Sequence, residues 1–106
     1  MIGNLKYKLM RFIAHREADA GGGANIVWEA SGELWANIEQ LTPLRDRSGE
    51  GRRFLKRIAA EVRADSSINE GERIRYDERD YEIVSIESSD ERQRRFVLIG
   101  EEVLGS

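Results

Sequence analysis

Cysteine is absent from this sequence of 106 residues, and proline and histidine each occur once. Without cysteine the chain can form neither a disulfide framework nor a thiolate metal site. No apolar run approaches the roughly 20 residues of a membrane span, and charged residues interrupt the apolar ones near the N-terminus. We therefore expect no membrane contact and no secretory signal, and a protein that is assembled in the cytoplasm.

Side chains that could carry chemistry are equally sparse. The single histidine, His15, has no nucleophile and orienting group that the sequence places beside it. Asp77, Glu78 and Asp80 lack the glycine and the ligand spacing of a calcium loop. The glycine run at residues 21–23 has neither the lysine nor the strand-to-helix context of a phosphate loop. We expect no catalytic residue, no cofactor and no metal, and hence a protein that is not an enzyme.

Charge is distributed unevenly along the chain. Residues 1–64 carry 11 Lys/Arg and 8 Asp/Glu, a net +3, whereas residues 65–106 carry 6 and 12, a net −6. A bipolar subunit of this kind could attract copies of itself. The other interpretation is a solvated surface without a partner. Residues 44–57 are the most basic stretch, with six Lys/Arg and two Asp/Glu, a net +4.

Apolar and polar residues alternate along much of the chain, which is the pattern of half-buried β-strands. Ile74 and Tyr76, then Tyr81 and Ile83, alternate on either side of the polar residues 77–80 and predict a hairpin. Val84 and Ile86 fall out of phase with them, so this strand offers apolar groups on both faces. The predicted strands cover about residues 5–15, 31–40 (with Gly32 as a possible bulge), 72–76, 81–87 and 95–104.

Residues 54–64 fit two patterns. Phe54, Ile58 and Val62 recur every four residues, as on a helix face, but Ile58, Ala60 and Val62 recur every two, as on a strand. Alanine favours the helix, and the pattern alone leaves both open. The sequence therefore predicts a single, mainly all-β domain over residues 1–106. It would be a small antiparallel β-barrel or sandwich of five to six strands, with room for one short helix.

The long connection between the second and third predicted strands, residues 43–56, begins at Pro43 and has the composition of a flexible loop. Its basic side chains could neutralise nucleic-acid phosphates without reading a base sequence. Phe54 could add a stacking or plugging group. Solubilising charge on an exposed loop is the alternative.

Several short segments follow one another in a characteristic order. They are WEASGELWANIEQL at residues 28–41, Val62-Arg63, the hairpin at residues 73–86 and the pair Glu101-Glu102. This order resembles the head–tail connector proteins of long-tailed bacteriophages, that is, the head-completion or stopper proteins also called head–tail adaptors. Related copies occur in gene transfer agents. The resemblance extends over about residues 5–102.

The resemblance implies a non-catalytic β-barrel whose copies form a six-fold or twelve-fold ring in the neck of the virion. The ring would extend and gate the DNA channel, retain the packaged double-stranded DNA and dock the tail. Its partners would be a portal-side adaptor ring and a tail terminator or tail tube. The resemblance also implies a strand near residues 57–65 and a loop, residues 43–56, that projects into the channel.

Two sets of residues follow as hypotheses. The channel loop would use Arg45, Arg47, Arg52, Arg53, Phe54 and Lys56. The core or the subunit interface would use Trp28, Trp35, Ile38, Tyr76, Tyr81, Ile83, Val84 and Ile86.

Two other functions stay open at this point. A tail-terminator or tail-completion connector of the same particle would also be a β-rich ring. A small nucleic-acid-binding β-barrel would instead present aromatic residues across one exposed sheet face and bind with a steep salt dependence.

Overall fold

The structure is a computed structural model that describes residues 6–18, 21–45, 54–63, 67–88 and 94–103. Six strands account for most of these residues: β1 (Tyr7–Ala18), β2 (Ala24–Arg45), β3 (Phe54–Arg63), β4 (Arg73–Tyr76), β5 (Arg79–Ser88) and β6 (Arg95–Glu102). The all-β prediction is confirmed, and residues 54–63 form a strand. The described ranges contain no helix that is long and apolar enough to cross a membrane.

The six strands form one antiparallel sheet that closes on itself. In the barrel order β1-β2-β3-β6-β5-β4, the first three strands of the chain occupy one half of the wall and the last three the other. Pairing of β4 with β1 closes the barrel through only three residue pairs, which are centred on Arg11 and Ile74. The β1–β2 ladder is much longer, with twelve pairs.

Alternate residues of each strand point into the barrel and form its core. In β3, Ile58, Ala60 and Val62 are buried, whereas Ala59 and Glu61 lie on the outer side. The other buried residues are Leu9, Leu34, Ala36, Ile68, Ile74, Tyr81, Ile83 and Leu98. None of the described polar or charged residues is buried, so the interior of the barrel is a packing core.

The β1–β2 hairpin departs most from the predicted strands. β1 continues past His15 to Ala18, and β2 spans 22 residues instead of the predicted residues 31–40. The residues on both sides of the glycine run 21–23 are therefore strand, and the chain turns at Gly22 (φ +86°). Six pairs of this hairpin lie beyond Phe12, the last β1 residue that pairs with β4. We call these residues, 13–18 and 24–29, the arm. The dimensions of the whole molecule are 52 × 33 × 23 Å.

β2 accommodates two residues that commonly interrupt strands. Arg11 pairs with Gly32 and Phe12 with Ala30, so the predicted bulge is present, and Gly32 adopts a φ of +116° that favours glycine. Pro43 does not end the strand as predicted. It lies in a register shift between Leu41 and Leu44, where its missing N–H costs no ladder hydrogen bond.

A second bulge corrects the prediction for β5. Ile83 pairs with Gly100 and Ser85 pairs with Ile99, which leaves Val84 without a partner across the ladder. The extra residue reverses the alternation beyond it. Ile86 therefore packs against the core. In a regular strand it would point outward, because it lies two residues after the outward-facing Val84.

The β4–β5 hairpin turns more tightly than predicted. Arg79 and Asp80 pair with Tyr76 and Arg75, so the connection contains two residues instead of the four at 77–80. Asp77 and Glu78 both have positive φ angles, 54° and 63°. Positive φ at both central residues is the mark of the type I′ turn, whose twist matches that of the strands.

Candidate functional site

The loop between β2 and β3 starts and ends on a β-ladder at one end of the barrel. The last two pairs of this ladder are Leu44↔Leu55 and Arg45↔Phe54. Two adjacent strands of the wall therefore support the predicted channel loop, and its residues 46–53 lie outside the described residues.

The predicted channel residues can be placed in part. Arg47, Arg52 and Arg53 lie outside the described residues, and of Arg45 the backbone is described. The Phe54 side chain is 61% exposed, and Lys56 is exposed as well. An aromatic ring that faces solvent at the base of a basic loop is available for a contact outside the subunit.

Glu102 fixes the base of this loop to the neighbouring strands β6 and β5. Its Oε1 accepts a hydrogen bond from the backbone N–H of Lys56 (3.1 Å), and its Oε2 accepts one from Nη1 of Arg79 (2.7 Å). Burial alone would raise the pKa of Glu102. The hydrogen bonds from Lys56 and Arg79 and their positive charges outweigh that effect and hold the pKa below its ordinary value. At neutral pH the carboxylate is charged and ties β3, β5 and β6 together.

Two tyrosines cover a neighbouring part of the same barrel end. The rings of Tyr7 and Tyr76 meet edge to face, with 5.8 Å between their centroids and 88° between their planes. Burial raises the pKa of Tyr76 above its ordinary value, so its hydroxyl stays neutral at physiological pH. Tyr76, one of the predicted core or interface residues, thus packs at the rim of the core.

Trp35 lies on the outside of the barrel, so the core alternative for this residue is wrong. Its neighbours Leu34 and Ala36 point inward, and the period of two then directs Trp35 outward, where it is 54% exposed. Nζ of Lys8 lies 5.2 Å from the Trp35 ring centroid and 3.6 Å from Oε1 of Glu33. This outward position leaves the interface alternative for Trp35.

Trp28 is half-buried by a contact that sequence reasoning missed. The Arg73 guanidinium lies 4.1 Å from its ring centroid, and that of Arg75 lies 4.6 Å from the ring of Phe12. These stacked pairs connect β4 with the β1–β2 hairpin at the root of the arm. No sequence signal brings Trp28 and Arg73 together, since they are 45 positions apart and meet only through barrel closure.

The remaining residues of the predicted core or interface set divide by environment. Tyr81 and Ile83 are buried, and Ile38 and Ile86 are partly buried against the core. Val84 is 38% exposed. The first four thus lie in or against the core, and Val84 lies on the outer surface.

The charge asymmetry of the sequence reappears as two walls of the barrel. The described residues of β1, β2, β3 and their flanks contain eight Lys/Arg and five Asp/Glu, a net +3. Those of β4, β5, β6 and their flanks contain five and nine, a net −4. Ion pairs bridge both seams: Arg11 to Glu72 (2.9 Å) and Arg57 to Glu101 (3.9 Å). Each subunit thus has a positive and a negative side.

No group of three or more potential metal ligands occurs among the described residues. His15 lies on the arm, opposite Val27, and is exposed. The functional candidates are therefore surfaces: the basic-loop end, the two charged walls and the arm.

The profile of a family described as phage head completion protein matches residues 2–103. The chain belongs to the phage head completion protein family. Two solved structures share its fold over almost the whole length. One is a chain of the virion of a native gene transfer agent particle, 22% identical, with a TM-score of 0.80 over 98% of this chain and 100% of that one. The other is the solution structure of protein SF1141 from Shigella flexneri 2a, 17% identical, with a TM-score of 0.71 over 99% and 98%.

The comparison with curated proteins gave no match. At these identities the two solved structures establish the fold, and the family match establishes the kind of protein. Head completion proteins are structural components of the virion at the head–tail interface. This chain is therefore a structural protein of a tailed phage or a phage-like particle, as the resemblance in its sequence predicted.

Proposed function

We propose that this head completion protein is the stopper subunit of the neck: a ring component that extends and gates the DNA channel and docks the tail. The observation that carries the proposal is the basic loop mounted on a fixed base. The loop region 44–57 has a net charge of +4 in a chain whose total is −3. Glu102 and the β2–β3 ladder hold both ends of the loop in place.

The two charged walls support a ring of copies. A cyclic ring needs two different patches that complement each other on every subunit. A positive β1–β3 wall and a negative β4–β6 wall on opposite halves of one barrel meet this need. We propose a six-fold or twelve-fold ring between a portal-side adaptor ring and the tail terminator or tail tube.

The connection between β2 and β3, together with the strand ends that flank it (residues 43–56), would face the channel of that ring. Arg45, Arg47, Arg52, Arg53 and Lys56 would contact phosphates of the packaged double-stranded DNA, without reading its sequence. Phe54, exposed at the base, would narrow the opening. No catalytic step is required, because retention of DNA by a plug needs only steric closure and charge.

Deletion of residues 46–52 tests the channel role. Filled particles that carry this variant should lose DNA, while the isolated protein should unfold at the wild-type temperature because the core is unchanged. The matched control for charge is R63Q against R53Q. Each removes one arginine, but Arg63 lies at the end of β3, away from the loop. Normal DNA retention by the deletion variant would refute the plug.

The choice between stopper and tail-terminator depends on the partner. Purified protein should cap heads that lack it and restore tail attachment. Binding to isolated tail tubes, with no binding to heads, would favour the tail-terminator role instead.

A further inference from the structure

The arm has two strand edges that no other strand of the subunit covers. Along β1, pairing with β4 ends at Phe12, and along β2, pairing with β3 begins only at Asn37. Among the described residues, no backbone hydrogen bond joins residues 13–18 or 25–33 to a third strand. Each edge therefore presents a row of backbone N–H and C=O groups to its surroundings.

These edges lack proline and lysine, two of the residues by which proteins block unwanted strand pairing, although the bulge at residues 30–32 interrupts the β2 edge. Neither proline nor lysine occurs in residues 13–18 or 24–36, whereas Ile13, Ile26 and Val27 favour strands. Ile26 is 61% exposed. A two-stranded ribbon is marginally stable by itself, and six pairs extend about 20 Å beyond the barrel wall. Such a ribbon gains its missing support from a neighbour.

We propose that the arm is a site of β-strand addition between copies of this chain. The free edge of β1, residues 13–18, of one copy pairs with the free edge of β2, residues 25–33, of the next. This inference rests on the proposed ring. Where the arm runs along the ring axis, rotation keeps the β1 strands of neighbouring copies parallel, so β1 of one copy and β2 of the next run antiparallel, as they do within the hairpin. The pairing of two different edges repeats from copy to copy until the ring closes.

Charge disfavours pairing of two β2 edges. The β1 edge carries His15, Arg16 and Glu17 and has no net charge with His15 neutral, whereas β2 carries Glu29 and Glu33 and has no Lys/Arg in residues 24–36. Among the described residues, neither Arg16 nor Glu29 has an ion-pair partner in the subunit. Pairing of two β2 edges would bring two acidic strands together, whereas pairing of β1 with β2 places His15 and Glu29 on the same face of the extended sheet.

The position of the arm agrees with the wall contact proposed for the ring. β4 lies beside β1, and β3 lies beside β2. A rotation that brings the β4 side of one copy against the β3 side of the next therefore also brings the β1 edge of the first arm to the β2 edge of the second. Both contacts follow from one symmetry operation.

Cysteine cross-linking tests this contact cleanly, because the wild-type chain contains no cysteine. One chain carries His15→Cys, and a second, longer tagged chain carries a cysteine on β2. The three β2 positions that share a face with His15 are Asn25, Val27 and Glu29. Because the two cysteines are on separate chains, no disulfide can form within a subunit. The two chains are assembled together into particle necks and oxidised.

We expect a disulfide-linked heterodimer with at least one of the three β2 positions. The strand register between neighbouring copies determines which of the three positions forms the disulfide. Each variant assembled alone should give no dimer. The matched control, Glu39→Cys, lies on the outer side of β2 outside the arm and should give no heterodimer with His15→Cys. A second readout is amide exchange: the backbone amides of residues 25–33 that point away from β1 should exchange rapidly in the free subunit and become protected in the neck.

Absence of a heterodimer at all three positions, a control that cross-links equally well, or unchanged amide exchange would each overturn the arm contact. If any of these results came from necks that contain the chain and retain DNA, the proposed stopper function would stand without the arm contact. Failure of the chain to enter the neck would instead refute the proposed function itself.

Discussion

The replacement of Glu102 by glutamine tests whether this residue holds the base of the basic loop. In the wild type the carboxylate accepts hydrogen bonds from the Lys56 N–H and from the Arg79 guanidinium, and its side chain is only 8% exposed. Glutamine keeps the shape and can still accept the bond from Lys56. It loses the charge, and its NH₂ group cannot accept the bond from Arg79.

The expected loss follows from the kind of hydrogen bond that is removed. Hydrogen bonds to charged groups stabilise a fold by about 1.5–3 kcal/mol, against about 1 kcal/mol for neutral ones. Because the Arg79 side chain is nearly half exposed, solvent screening reduces the stabilisation that its hydrogen bond to Glu102 contributes. We expect E102Q to lower the free energy of unfolding by about 1–2 kcal/mol at pH 7. Urea unfolding followed by the fluorescence of Trp28 and Trp35 should show a midpoint lowered by roughly 1 M.

The pKa of Glu102 also determines how the effect of E102Q on stability depends on pH. The pKa of Glu102 is lower in the folded protein than its ordinary value of 4.5. Its contribution to stability is therefore present above the unfolded pKa and is lost as the pH falls through the folded pKa. The difference between wild type and E102Q should be constant from pH 7 to about pH 5 and should disappear at more acidic pH.

The neighbouring residue supplies the control. Glu101 pairs with Arg57 over 3.9 Å on the barrel surface, beyond hydrogen-bond distance, so E101Q should cost less than about 1 kcal/mol. Equal losses for the two variants, or a loss in E102Q that persists at acidic pH, would refute the role assigned to Glu102.

Three further substitutions test the outer surface, the hairpin and the core. W35A should change the monomer's free energy of unfolding by less than about 1 kcal/mol in a urea titration, because the Trp35 side chain is half exposed. A loss of 3 kcal/mol or more, as expected of a core aromatic, would show that Trp35 packs inside the barrel. E78G should stabilise the monomer by up to about 1 kcal/mol, since glycine adopts the positive φ of the type I′ turn after Asp77 without strain; a lower melting temperature would contradict that turn. G100A should destabilise by about 1–3 kcal/mol, because its Cβ would lie 3.0 Å from that of buried Tyr81; wild-type stability would show that the ladder relaxes easily.

The part of the fold that could be predicted is the part with a buried face and an exposed face. Ile74, Tyr76, Tyr81 and Ile83 reveal their hairpin because the core enforces a period of two. The arm has no such signature, since most of its residues are exposed on both faces and its strands are held mainly by pairing with each other. The predicted second strand therefore began seven residues too late, at residue 31 instead of Ala24.

Bulges account for another part of what could not be predicted. The bulge at Val84 turns Ile86 inward, and a single extra residue of this kind depends on the partner strand β6, far away in the sequence. Trp35 is a different case, because the alternation of the small or apolar residues Leu34, Ala36 and Ile38 already indicated its outward direction. Its size suggested a core residue, but the period of two was the better guide.

The candidate site likewise has one part that could be predicted from the sequence and one part that could not. The charge and glycine content of residues 44–57 indicate the loop directly. The anchoring contacts of Glu102 join β3, β6 and β5, which lie side by side in the sheet, but the contacting residues 56, 79 and 102 are far apart in the sequence, so no local pattern contains them.

Electron cryomicroscopy of the particle neck, compared between the wild type and the variant that lacks residues 46–52, tests the central claim most directly. We predict a closed ring of this barrel in which residues 43–56 of every copy face the lumen, and a wider opening with no DNA behind it in the variant. A ring whose loops face outward, or a neck that does not contain this chain, would contradict the account.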